Sequence, residues 1–183
     1  DATMTMIGAN IAIIQDNKIL LTKREDFEVW CLPGGRSEIG ESLAQTASRE
    51  ASEETGYIVH IARLVGMYSR VGGGIDIHGA LFAGEIIGGE MKAQPEEVID
   101  IGFFSLDNLP QPIFFFYLPQ IEDALSGVSG AAGRSIFTPA QYVESYKELC
   151  ELRDSSGMSR SEFYKYYFES HTDNKFVRDI ENK

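Results

Sequence analysis

Apolar and polar positions fall into short β-branched runs over the first hundred residues, and that pattern predicts strands. Met6 to Lys23 reads as two such runs, IGANIAII and KILLTK, joined by Gln15, Asp16 and Asn17, whose turn chemistry predicts a hairpin. Strand-like runs follow at 57–69 and 75–87. A loop containing Gly, Pro and Glu at 88–97 leads into VIDIGFF at 98–104.

Between the first strands and these, residues 43–55 carry a helical period. Leu43, Ala47 and Ala51 recur every four positions, a face of mostly small side chains that lets a helix lie close against a sheet. Ser42 and Gln45 form a capping box at its start, and Gly56 stands where a left-handed C-cap belongs. Pro119 followed by QIEDALSG predicts a second, short helix with proline in its first turn and Gly127 beyond its end. Strands interleaved with helices predict an α/β (α+β) architecture, an α/β/α sandwich on a mixed sheet.

The pattern changes at SGVSGAAGR, 126–134, which is small and poor in large apolar residues and reads as a linker. Beyond it, Thr138 to Gln141 has the form of a capping box with proline at the first helical position, and Tyr142, Val143, Tyr146, Leu149 and Cys150 recur on one face. Gly157 interrupts, and a second capping box from Ser159 to Glu162 opens a helix with Phe163, Tyr164, Tyr167 and Phe168 on its apolar side. The division expected is residues 1–130 as one domain and 131–183 as a C-terminal two-helix extension.

Composition adds constraints. With 43% hydrophobic and 11% aromatic residues in 183, the chain folds as a globule. A net charge of -12 repels polyanions unless a local basic patch exists, and the sequence shows no strong one. Cys31 and Cys150 lack any metal or disulfide spacing and read as reduced core thiols. No apolar stretch approaches the ~20 residues a membrane span needs, and no basic segment precedes an apolar one, so a cytoplasmic protein is expected.

One face of the 43–55 helix is physically odd. Glu50, Glu53 and Glu54 sit at i, i+3 and i+4, where like charges repel by roughly 0.2–0.5 kcal/mol per pair. They also oppose the helix dipole at its C-terminal end by roughly 0.3–1 kcal/mol each. A divalent cation resolves the conflict, since Mg²⁺ needs converging oxygen ligands and bridges phosphates. The competing reading is a solvated acidic face softened by Arg49.

The surroundings favour the cation. GGRSEIGESLAQTASREASEETGY, residues 34–57, matches the Nudix box, Gly-x5-Glu-x7-Arg-Glu-U-x-Glu-Glu-x-Gly-U with U apolar, at every fixed position: Gly35, Glu41, Arg49, Glu50, Glu53, Glu54 and Gly56. Ala51 and Tyr57 stand at the U positions. WCLPGG before the box, Glu38 in its loop and FFSLDNLP near 106 also resemble Nudix hydrolases, so the resemblance covers about residues 5–127.

What the resemblance implies is hydrolysis of a nucleoside diphosphate linked to another moiety, with Mg²⁺ or Mn²⁺ on Glu50, Glu53 and Glu54, and Gly35 and Glu97 as further metal-site residues. Arg49 and Glu41 would orient the ligands. The general base is either a box glutamate or an acidic residue of a distant loop, for which Glu97 is the candidate and Glu96 the rival. Arg36, Arg24 and Arg70 are candidates for the phosphates, and Phe27, Trp30 and Tyr68 for a flat group, each weighed against plain exposure or core packing. His78 reads as a hydrogen-bonded structural residue, and the run 113–117 as buried.

The substrate stays open among ADP-ribose-like compounds, nucleotide sugars and nucleoside triphosphates. Val71 stands where ADP-ribose hydrolases carry a proline. Residues 147–168 resemble the first two helices of a phage-repressor helix-turn-helix, which opens an alternative: a nucleotide-metabolite sensor that regulates transcription. The following HTDNKFVRDIENK is short, irregular and mixed in charge, which argues against nucleic acid and for an amphipathic helical pair packed on the domain or on a second copy as a homodimer.

Overall fold

The computed structural model describes residues 5–171 and 173–180; the ends of the two expected segments, at 1–4 and 181–183, lie outside them. The chain opens with the expected hairpin. Strands β1 (Thr5–Gln15) and β2 (Lys18–Arg24) pair antiparallel with Gln15 opposite Lys18. Asp16 and Asn17 both take positive φ, 51° and 58°, the two-residue turn whose twist matches flanking strands.

Two short strands that the sequence pattern does not announce follow, β3 (Val29–Cys31) against β2 and β4 (Gly34–Arg36) against β1. Helix α1 (Leu43–Thr55) has the expected bounds, with the Ser42–Gln45 capping box formed and Gly56 at φ 75°. Then come β5 (Tyr57–Val71), β6 (Asp76–Gly89) and β7 (Val98–Phe104), and helix α2 (Leu118–Leu125). Central strand β1 runs parallel to β6 from Thr5 to Ile13 and pairs with β2 at its end, while β7 covers the far side of β2.

The sheet is covered on both faces. Ala47 and Ala51 of α1 pack on Ala9, Ile11, Ile13, Leu20 and Val59, and Ile121 and Ala124 of α2 pack with Ala12, Leu21, Trp30 and Leu81 on the other side. The mixed α+β sandwich is therefore present.

Beyond residue 130 the structure departs from expectation. Ala131–Ile136 is a strand, β8, parallel to β5, so the last four of the nine residues read as a linker are part of the sheet. Its alternating burial, with Ala131, Gly133 and Ser135 inside, shows why: small residues let it lie against Gly66 and its neighbours. No helix starts at Thr138. The N–H of Thr138 bonds the side chain of Asn174 and that of Ala140 the carbonyl of Tyr167, which tie this irregular segment to the end of the chain instead of to a helix. Helix α3 (Tyr146–Ser155) starts eight residues later, capped by Ser145 on the N–H of Glu148. Helix α4 (Arg160–Glu169) has the expected Ser159–Glu162 box, and β9 (Lys175–Arg178) returns antiparallel to β8. A strand, and no recognition helix, follows α4 among the described residues.

Phe163, Tyr164, Tyr167 and Phe168 are buried against Phe27, Phe114 and Phe137, each worth roughly 1.5–3 kcal/mol of burial. Tyr164 also donates to the carbonyl of Ile113 at 3.0 Å and accepts from the N–H of Phe115 at 3.1 Å. Asp123 of α2 holds Arg178 of β9 and accepts from Tyr68 of β5 at 2.7 Å. The extension is thus bonded to the sandwich on two sides.

Candidate active site

The acidic face of α1 lies over β4, because the small face of the helix is turned to the sheet. Gly35 is what lets Glu50 come so close: a Cβ there would sit 2.3 Å from Oε1 of Glu50. Gly34 donates its N–H to Oε2 of Glu54 at 3.2 Å. Glu50 and Glu54 are buried, while the side chain of Glu53 is half exposed.

Arg49 organises the group. Its Nε and Nη2 hold both oxygens of Glu41 at 2.7 and 3.1 Å, Nη1 donates to Glu50 at 2.8 Å and to Glu53 at 3.0 Å, and Nη2 also meets the carbonyl of Arg36. Glu41 further accepts from Thr46 Oγ1 and from the N–H of Glu38. Its bond to Arg49, with those of Glu38 and Thr46, brings its carboxyl down to about 2. Glu41 thereby fixes the guanidinium of Arg49. Thr46 is a residue that sequence reasoning passed over.

Burial, and then the neighbouring Glu50 charge, push the Glu54 carboxyl up to about 8, against the opposing pull of Arg24. Burial also raises Glu50, with Arg49 working the other way. The charge of Glu97 acts on both. In the conformation described, no three acidic, His or Cys side chains among the described residues already converge as a metal cage. Arg49 stands between Glu50 and Glu53, where it balances their charge. The donor set nonetheless suits a hard divalent cation: carboxylate oxygens, two of the groups buried, beside the half-exposed Glu53 that Arg49 holds.

Next to Gly34 and Gly35 opens a cavity of about 410 Å³. Of the expected substrate-binding residues, Arg24, Arg36, Arg70, Phe27 and Tyr68 line it. Trp30 does not: it is buried edge-on against Phe104, with its backbone bonded to Pro112 and Phe114, and belongs to the core. The hydroxyl of Tyr68 is taken by Asp123, and Phe27 is enclosed by Phe163 and Phe168, so both are wall and offer no free polar group. Arg24 is clamped by Asp26, which also accepts from the hydroxyl of Tyr146. His78 shares a bond with Ser69 at 2.8 Å, in line with a structural role.

Several cavity residues came with no sequence signal. Asn10 reaches Tyr117 across 107 residues of chain, and Phe137, Tyr146, Tyr167 and Phe168 supply a wall from the C-terminal extension. Their positions depend on β8 and on the irregular segment after it, the two features that the sequence pattern misread.

Comparison with known proteins places this geometry. The model of the NUDIX domain matches residues 4–123. A putative 8-oxo-dGTP diphosphatase of Bacillus subtilis is 37% identical over 125 residues, 66% of this chain and 80% of its own. An ADP-ribose pyrophosphatase of Methanocaldococcus jannaschii is 39% identical over 107 residues, 56% of this chain and 63% of its own. Among solved structures, a MutT NUDIX hydrolase from Burkholderia pseudomallei superposes with a TM-score of 0.60 at 28% identity, over 69% of this chain and 99% of its own. The fold of a MutT protein from Bacillus halodurans matches over 97% of this chain and 99% of its own, TM-score 0.68 at 21% identity, so its likeness extends through the C-terminal extension.

Proposed function

The chain belongs to the Nudix hydrolase family, and on that footing we propose that it cleaves the pyrophosphate linkage of a nucleotide derivative with Mg²⁺ or Mn²⁺ held by Glu50, Glu53 and Glu54. The observation that carries the reading is the pair of buried carboxylates, Glu50 and Glu54, pressed against the glycine strand Gly34–Arg36 at the mouth of a cavity lined by three arginines. Relatives named for 8-oxo-dGTP and for ADP-ribose agree with a nucleotide substrate.

When bound, the metal supplies Lewis acidity and a water of lowered pKa. The chain does the rest. Arg49 keeps Glu50 and Glu53 in place before the ion arrives and is itself fixed by Glu41. The carbonyl of Gly35 and the carboxylate of Glu97 are further metal-site groups. Glu97, the loop acid whose charge acts on both buried glutamates, is the acceptor for the proton of the attacking water. Arg36 and Arg24, beside the glycine strand, take the phosphate oxygens.

The test is phosphate or nucleotide release from ADP-ribose, nucleotide sugars, dGTP and 8-oxo-dGTP with Mg²⁺ and with Mn²⁺. Turnover that EDTA and Glu53→Gln both abolish supports the reading. Turnover that survives both refutes the metal site, and no turnover of any compound refutes the hydrolase. Location in the cytoplasm fits a nucleotide substrate, and no described helix is long and apolar enough to cross a membrane.

A further inference from the structure

In a protein of net charge -12, the cavity is lined by Arg24, Arg36 and Arg70 and, among the described residues, by no aspartate or glutamate. Two of these cations are accounted for. Arg36 is exposed, its guanidinium in water beside the sulfur of Met6, and Arg24 is paired with Asp26. Arg70 is different. Its guanidinium lies over the rings of Phe116, Phe137 and Phe168 at 5.0, 5.5 and 6.0 Å, and it makes no hydrogen bond among the described residues. Its Nε is shut off from solvent without a partner, the one such side-chain atom among the described residues. Burial, together with the like charge of Arg24, brings it down to about 10. A cation kept in aromatic surroundings without an acceptor is costly to the fold unless something else supplies the acceptor.

Strand register says where that acceptor would be. Arg36 of β4, Gly8 of β1, Gly79 of β6 and Tyr68 of β5 form one row across the sheet, and Arg70 lies two residues further along β5. Three strand spacings of about 4.8 Å across the sheet and two residues of about 3.4 Å along β5 put the Arg70 backbone roughly 16 Å from that of Arg36. The two row positions between them, Gly8 and Gly79, carry no side chain and line the cavity, and a Cβ added at Gly79 would meet nothing closer than the carbonyl of Gly8 at 3.5 Å. A substrate whose pyrophosphate sits at the glycine strand therefore crosses Gly79 and presents its other moiety to Arg70.

We propose that Arg70, cradled by Phe116, Phe137 and Phe168, is a specificity-determining residue that binds an oxyanion, phosphate or carboxylate, carried by the substrate moiety beyond the pyrophosphate. Phe137 and Phe168 come from the C-terminal extension, which gives that extension a role in selecting substrate. Naming the ligand a substrate rests on the hydrolase reading; the binding itself does not.

The experiment uses matched pairs of pyrophosphates that differ by one oxyanion: coenzyme A and 3′-dephospho-coenzyme A, NADPH and NADH, UDP-glucuronate and UDP-glucose. Binding is measured by calorimetry on the full chain in EDTA, so that no turnover intervenes. The expected result is a preference of about tenfold or more for the richer member of at least one pair. Arg70→Gln abolishes that preference. The first two pairs report on a phosphate and the third on a carboxylate. Arg70→Met, an unbranched apolar filler of the same cradle, repeats the test if the Gln variant does not fold. Equal binding within every pair overturns the proposal, as does Arg70→Gln weakening both members equally, which would put Arg70 on the pyrophosphate itself. A preference without hydrolysis of any compound would leave the subsite standing and remove the hydrolase.

Discussion

Gly35→Ala separates the site from the fold. The added methyl carbon would stand 2.3 Å from Oε1 and 2.7 Å from Cδ of Glu50, whereas ordinary contact begins near 3.4 Å. The carboxylate must retreat by roughly 1 Å, and it can, because it ends a flexible side chain. Leaving Arg49 Nη1 loses a 2.8 Å charge-assisted bond, worth about 1–2 kcal/mol in a partly solvated setting. The melting temperature should therefore fall by only a few degrees, at about 2–4 °C per kcal/mol for a chain of this size. A ligand displaced by 1 Å costs about a hundredfold in rate, or roughly 2.7 kcal/mol of transition-state stabilisation. Gly34→Ala is the contrast. Its Cβ would meet the carbonyl of Ala9 at 2.4 Å and Cα of Asn10 at 2.7 Å, backbone that cannot yield, and this variant should fail to fold. Calorimetric melting and kcat/KM with Mn²⁺ measure both effects. Wild-type turnover by Gly35→Ala would refute the placement of Glu50 in the site, and a collapse as deep as that of Gly34→Ala would refute the claim that the strain falls on a side chain alone.

Three further outcomes are expected. In EDTA the melting temperature falls as pH rises from about 5 to 8: Glu54 keeps its proton in the folded state to about 8 while the unfolded carboxyl titrates near 4.5, so the folded state binds more protons across that window. The upper bound is ~5 kcal/mol at ~1.4 kcal/mol per pH unit; Glu54→Gln flattens the profile, saturating Mn²⁺ restores stability at pH 8, and a profile that rises with pH would contradict the assignment. Glu41→Gln, which leaves Arg49 without its anchor, lowers kcat/KM by about 10–100-fold while Mn²⁺ stoichiometry by electron paramagnetic resonance is unchanged. Asp123→Asn breaks the tie between α2, β5 and β9 and costs about 2–3 kcal/mol by urea unfolding, and a cost near zero would mean that β9 is held by its ladder alone.

Local chemistry made much of this legible. The Asp16–Asn17 turn, the capped helix at 43–55 and the Ser159 box are written in a few adjacent residues, and each has the expected place. The box glutamates were legible for the same reason, since one helix and its flanking glycines carry them. What the sequence pattern misread depends on distant partners. Residues 131–134 look like the end of a linker because small side chains are what a strand packed beside Gly66 requires, and Thr138 looks like a cap until Asn174 takes its N–H. Trp30 stood next to the box in sequence, yet its ring turns into the core against Phe104. The cavity wall from Phe137 to Phe168 was out of reach for the same reason: it exists because α3 and α4 fold back over Phe27 and Phe114.

The most direct test of the metal-dependent hydrolase is a Mn²⁺ titration of the EDTA-stripped protein that follows bound ion by electron paramagnetic resonance and substrate cleavage in the same samples. Cleavage should rise in proportion to bound Mn²⁺, and Glu50→Gln, Glu53→Gln and Glu54→Gln should each weaken both together. Cleavage that reaches its full rate in the stripped protein, or Mn²⁺ binding that all three substitutions leave unchanged, would contradict the metal-dependent hydrolase.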